Sequence, residues 1–103
     1  MIKLTVLYTP PAQVDEFDAH YTSVHLPLAA ALPDLLRAET SVVVATPDNS
    51  PAPYHRIAEL YYADAETMGD SLASEQGRRT AADAMDIAAR TGSTVTMLIS
   101  SLD

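Results

Sequence analysis

Four short stretches of this chain alternate in polarity with a period of two, and the stretches between them repeat at three to four residues. The order in which these two periods follow one another leaves few folds open. Residues 2–8 alternate Ile2, Leu4, Val6 and Tyr8 against Lys3, Thr5 and Leu7, the pattern of a strand. Val14, Phe17, Tyr21, Val24 and Leu28 then recur three or four apart. Asp15, Glu16 and Asp18 fall in the first turns, where carboxylates meet free N–H groups. Pro27 lacks an N–H and pushes Leu26 away from α geometry, so the spacing predicts a helix that ends or kinks just after His25. A short helical turn over 29–32 runs up to Pro33-Asp34, and residues 35–46, rich in β-branched types, form a second strand.

Pro47, Pro51 and Pro53 mark a loop, and residues 54–62 alternate again as a third strand antiparallel to the second. Asp64 is placed to cap a second helix, with Met68 and Leu72 on its inner face. Gly77 is expected to interrupt that helix, which resumes through Ala81, Ala84, Met85 and Ala88 and stops at Gly92. Residues 94–100 close the pattern as a fourth strand. The order is β-α-β-β-α-β with each helix in two pieces. It predicts an α+β, ferredoxin-like fold: a four-stranded antiparallel sheet with helices on one face, one domain over 1–103.

Helices on one face leave the other uncovered, and both faces carry apolar residues. Leu7, Ile57, Tyr61, Val95 and Met97 are the groups expected on the open face, more than a monomer of this size comfortably exposes. A second copy packed sheet to sheet would cover them. The expected assembly is therefore a homodimer closed into an α/β barrel, with room for a small hydrophobic ligand inside.

Fourteen acidic residues against six basic ones give a formal charge of -8, which repels nucleic acid phosphates and anionic lipid. Neither nucleic acid nor membrane is an expected partner. The absence of cysteine removes disulfides and thiolate metal ligands from consideration. The opening residues lack an apolar run of signal-peptide length, so the expected location is the cytoplasm.

With these elements laid out, the chain resembles the EthD family of the dimeric α/β-barrel superfamily along essentially its whole length. The resemblance is carried by Phe17 and Tyr21, then His25-Leu26-Pro27-Leu28 and Leu32-Pro33. Pro51-Ala52-Pro53-Tyr54-His55, Glu59 and Ser74-Glu75-Gln76-Gly77 continue it. The family's name comes from ethyl tert-butyl ether degradation, where such proteins accompany an oxygenase. Members of the superfamily oxidise, cyclise, isomerise or dechlorinate small organic molecules, most without a metal, and some distant ones bind haem. The resemblance places the family's HxPL histidine on His25; no cofactor is expected, and no metal, because the three histidines share no short-range ligand pattern.

The residues themselves point the same way. His25 lies four after Tyr21, on the same helix face, and an imidazole titrating near neutral pH is suited to proton transfer. Tyr21 is placed to orient that imidazole or to hydrogen-bond a substrate carbonyl. Glu59, a carboxylate in mid-strand between Ile57 and Tyr61, is the third candidate catalytic group: if its face lines the barrel it must be paired, protonated or functional. Thr5, Leu7, Ile57 and Tyr61 share that face as candidate substrate-binding residues. His20 is expected on the exposed flank, diverging from His25, His55 at a strand end, and Arg56 paired with Glu39. Three uses of the cavity follow, one of them haem or oxygen chemistry with His25 as the axial ligand. An enzyme performing acid/base chemistry without a cofactor predicts a carboxylate or tyrosine within reach of His25. A non-catalytic carrier, or an accessory to an oxygenase, predicts a uniformly apolar pocket with His25 tied to backbone.

Overall fold

The computed structural model describes all of residues 1–103. In chain order it contains β1 (Ile2–Tyr8), α1 (Val14–His20), a wide helical turn (Tyr21–His25) and α2 (Leu26–Ala30). These are followed by β2 (Arg37–Val42), β3 (Arg56–Tyr62), α3 (Ala65–Ala73), α4 (Glu75–Thr91) and β4 (Val95–Ser101). The strands form one sheet in the order β2-β3-β1-β4, with every neighbouring pair antiparallel. This is the ferredoxin-like α+β arrangement that the two periodicities predict. None of its helices is long and apolar enough to cross a membrane.

The inner residues of the two central strands, Leu4, Val6 and Tyr8 with Ala58, Leu60 and Tyr62, are buried beneath Phe17, Tyr21, Met68, Ala84 and Ile87 of the helices. Their neighbours Lys3, Thr5 and Leu7, with Ile57, Glu59 and Tyr61, point to the uncovered face. The register of β4 corrects one expectation. Val95 pairs with Tyr8 and Met97 with Val6, so both lie on the helix side, and Leu98, opposite Thr5, faces the open side. Alternation alone does not decide this phase, because β4 is apolar on both faces; its pairing with β1 does. The open face is consequently more polar than expected. Lys3 Nζ meets Glu59 at 2.8 Å, and the Tyr61 hydroxyl donates to Glu39 at 2.8 Å.

The helix before His25 also departs from the simple rule. Val14 and Val24 are exposed, and the buried stripe runs Phe17, Tyr21, His25, Ala29. Nor does Pro27 end the helix, which widens instead. The Leu26 N–H bonds the Tyr21 carbonyl five residues back, and α2 continues through Pro27 to Ala30. The wide turn accommodates a residue that has no N–H and whose ring would otherwise strike the carbonyl four residues earlier. Hydroxyls satisfy carbonyls loosened at its start: Thr22 donates to Asp18 O at 2.9 Å and Ser23 to Ala19 O at 2.6 Å.

On the second helical pair, Asp64 caps α3 as expected, accepting the Thr67 N–H at 2.8 Å. The break falls at Ser74, not at Gly77: Ser74 is extended, and its hydroxyl accepts the Gly77 N–H at 3.1 Å to start α4. Gly77 has a different purpose. A Cβ there would collide with the carbonyl oxygens of both Ser71 and Leu72, so only glycine lets α4 approach the end of α3 this closely. Met85 is exposed, and α4 buries Thr80, Ala84, Ile87, Ala88 and Thr91 before Gly92 ends it at a positive φ of 79°.

Candidate functional site

A cavity of about 470 Å³ opens between the helices and the sheet, within the size range of small-molecule sites. It exists because small residues stand where a packed core would place large ones. Ala29 and Ala30 of α2, Gly77, Ala81 and Ala84 of α4, and Ala38 and Ala58 of the sheet all line it. Leu4, Leu60, Leu72, Met97 and Ile99 complete its apolar walls, and Thr40 and Thr80 add hydroxyls. The Thr80 hydroxyl is already spent on the Gln76 carbonyl at 2.8 Å. The cavity's polar corner is formed by Tyr8, Tyr21 and His25.

The tyrosines are held by an aromatic cluster. Tyr8 meets both Phe17 and Tyr21 edge to face, with ring centroids 5.2 and 5.6 Å apart, and the Tyr21 centroid lies 5.1 Å from that of His25. The Tyr21 hydroxyl is buried without a hydrogen-bond partner. Burial pushes the proton affinity of both phenols up, and the charge of Arg56 opposes this at each. Both are therefore hydroxyl donors at neutral pH.

His25 is only 6% exposed. Its Nδ1 lies 2.9 Å from Asp83 Oδ2, and Asp83 Oδ1 lies 2.7 Å from His20 Nε2. On the far side of His20, Arg90 approaches Nδ1 at 3.3 Å. Arginine offers only donors, so His20 Nδ1 accepts and its proton sits on Nε2, which donates to Asp83. A carboxylate only accepts, so His25 presents Nδ1–H to it. The His25 Nε2 lone pair is left for the cavity. Burial holds the proton affinity of His25 below its ordinary value, with Asp83 partly restoring it and His20 lowering it further. The imidazole is thus neutral and basic at physiological pH.

Sequence spacing predicts that His20 and His25 diverge, and that His20 sits on an exposed flank. On an α-helix a separation of five residues turns through about 140°. The wide turn at 21–25, with its bond from residue i+5 to i, brings the two to one side instead, and both reach Asp83. Wide turns of this kind often mark functional sites.

Of the candidate site residues, the structure brings His25 and Tyr21 together at the cavity. Glu59 is separated from them by the sheet. It faces away from the helices, as the strand phase predicts, but is paired with Lys3 and its side chain is 31% exposed in the single chain. Thr5, Leu7, Ile57 and Tyr61 share that face and line no part of the cavity. The gap left by the alanines lies under the helices, on the other side of the sheet from these residues. Arg56 does not pair with Glu39. It points to the helix side and stacks over Tyr21, 4.3 Å from the ring centroid, whereas Glu39 points to the open side. His55 sits just before β3, bonded to Asp18 at 2.7 Å and packed edge-on against Phe17. Sequence reasoning missed Tyr8 and Asp83. The signal for Tyr8 was present, since it belongs to the inner alternation of β1. Asp83 offers only a carboxylate beside the buried arc of α4, and its partners lie 58 and 63 residues away.

Comparison with known proteins places this geometry in a family. The EthD domain matches residues 9–91. An uncharacterised 11.0 kDa protein from the thcB–thcC intergenic region of Rhodococcus erythropolis is 33% identical over 88 residues, which cover 85% of this chain and 84% of the relative. The crystal structure of an ethyl tert-butyl ether degradation family protein from Bacillus halodurans superposes with a TM-score of 0.91 at 28% identity, covering 100% of this chain and 99% of that one. A cofactor-independent oxygenase from Streptomyces nogalater shares the fold at 13% identity, with a TM-score of 0.66 over 99% of this chain and 92% of its own.

Proposed function

This chain belongs to the EthD family, and on that premise we propose that its cavity binds a small, largely apolar molecule bearing a carbonyl or phenol group, with His25 exchanging a proton with it. One observation carries this reading: Asp83 holds His25 Nδ1–H at 2.9 Å, leaving Nε2 unbonded at the polar corner of an otherwise apolar cavity. A carrier needs no base, and the carboxylate partner is the arrangement that acid/base use of His25 requires.

The chemistry follows from the geometry. A C–H proton next to a carbonyl passes to His25 Nε2, and its electron pair delocalises onto the carbonyl oxygen as an enolate. Asp83 stabilises the imidazolium, and the Tyr21 hydroxyl, which has no partner of its own, donates to the oxygen. Returning the proton to another carbon is isomerisation, and attack of the enolate on a second carbonyl is ring closure. Cofactor-free oxygenation, the activity of the Streptomyces neighbour, is a third use of such an anion. The walls exclude water and select by shape. The proposed working unit is a homodimer, in which Leu7, Ile57 and Leu98 on the open face pack against a second copy.

Deuterium exchange at the α-carbon of 2-tetralone in D2O tests the reading without knowledge of the natural substrate. The wild-type protein is expected to accelerate exchange, and His25→Ala to lose about 10²–10⁴-fold of that acceleration while keeping its fold. Unchanged exchange in the variant, or a destabilised variant with intact ligand affinity, would contradict a functional His25.

A further inference from the structure

Arg56 has no role in the scheme above, yet it is the most unusual charge in the molecule. It is 7% exposed, its Nε has no hydrogen-bond partner, and it forms no ion pair. A buried guanidinium without a counter-ion is strongly unfavourable. Its position is set by β3, where it pairs with Tyr8, and its guanidinium lies over the face of Tyr21 at 4.3 Å. Tyr21 in turn is a cavity wall, wholly buried, with an unpartnered hydroxyl. A cation with a buried, unpartnered Nε thus stacks behind a tyrosine that walls one corner of an apolar cavity, although Arg56 itself does not line it.

The charges around that corner come from every packed element. Asp83 on α4 is already occupied by His25 and His20, Asp18 on α1 is bonded to His55, and Tyr8 on β1 is neutral. None of the molecule's ion pairs includes Arg56. We infer that Arg56 makes this end of the cavity selective for a ligand oxygen in its anionic form, a phenolate or enolate. In this arrangement Tyr21 is the donor that touches the oxygen, and Arg56 is the positioning countercharge behind the ring. The inference rests on the cavity reading above and adds the ionic state in which the ligand is held. It also gives a reason for the burial of Arg56: the charge is compensated when the ligand is bound.

The test uses 4-nitrophenol, whose phenolate absorbs in the visible, and nitrobenzene as a ligand of similar shape that does not ionise. In titrations of the intact protein across pH, the phenolate is expected to bind about tenfold more tightly than the phenol, so the bound probe ionises about one pH unit below the free one. Arg56→Met should abolish that preference and leave nitrobenzene affinity within about twofold, whereas Arg56→Lys, which keeps the charge, should restore most of it. A purely structural Arg56 would shift melting temperature and nitrobenzene affinity together and leave the ionisation of the bound probe alone. Equal or tighter binding of the neutral phenol by the wild-type protein overturns the inference, even if Arg56→Met fails to fold. So does an ionic preference that survives in Arg56→Met. If neither probe binds the wild-type protein, the cavity reading itself falls and takes this inference with it.

Discussion

Replacing Asp83 by Asn keeps the shape of the site and changes what it can accept. In the native network Asp83 accepts from two imidazoles at once, 2.9 Å from His25 and 2.7 Å from His20. An asparagine has one accepting oxygen and a donating NH2, so one histidine must now present a bare nitrogen to it. His20 resists, because Arg90 already donates to its Nδ1. His25 is therefore the residue expected to switch, moving its proton to Nε2 and losing the lone pair that faces the cavity. The side chains of His25 and Asp83 are 8% and 14% exposed, so the lost charge-assisted bond is poorly replaced by water. A cost of about 1.5–3 kcal/mol follows, and a fall in Tm of roughly 6–20 °C at fixed protein concentration.

The pH dependence of that variant has a definite sign. Burial holds folded-state His25 below its ordinary value of 6.5, and Asp83 pulls it partly back. Above pH 6.5 neither the folded nor the unfolded chain binds this proton. As pH falls below 6.5, the unfolded chain takes up a proton that the folded chain refuses, and stability declines until the folded value is passed. Asp83→Asn lowers the folded value further, so it should lose more stability than wild type on acidification. The assay is long-range ¹H–¹⁵N correlation of the imidazoles, read beside thermal melts from pH 5 to pH 8. Wild type should show His25 protonated on Nδ1 and His20 on Nε2, with His25 alone switching in Asp83→Asn. A His25 already protonated on Nε2 in wild type would refute the reasoning, because no base would then face the cavity.

Three further outcomes are expected. Gly77→Ala should destabilise the fold by about 2–4 kcal/mol in denaturant titration, because its Cβ would meet two backbone oxygens that cannot move independently of α3. Tyr21→Phe removes a buried hydroxyl that has no partner, so melting should show stability unchanged or slightly raised, while affinity for a ketone or phenol falls about tenfold. Leu7→Asp on the open face should convert a dimer to a monomer in sedimentation velocity at micromolar concentration; a wild-type protein that is already monomeric there would remove the dimer from the proposal.

The strands and their antiparallel order were legible from local periodicity, and the helices were expected in two pieces, although the second break lies at Ser74 rather than Gly77. Residues 2–8 match β1, and Asp64 and Gly92 end their helices as their chemistry dictates. Pro27 misleads because the rule that proline breaks a helix assumes α-helical bonding, and the chain escapes by widening one turn. That same turn places His20 and His25 on one carboxylate, a convergence that α spacing forbids. His25 and Tyr21 were visible as a pair, but Asp83 and Arg56 acquire meaning only from contacts across the fold. The side of the sheet on which the cavity lies was encoded less obviously, in the alanines at 29, 38, 58 and 84. Small residues at core positions signal empty space only once their facing partners are known to be small as well.

The placement of the ligand tests the central claim most directly. A crystal structure of the protein with 2-tetralone should show the ketone between α2, α4 and the sheet, its α-carbon within about 3.5 Å of His25 Nε2 and its oxygen toward the Tyr21 hydroxyl. Density for the ketone on the opposite face of the sheet, against Leu7, Ile57 and Glu59, would contradict it.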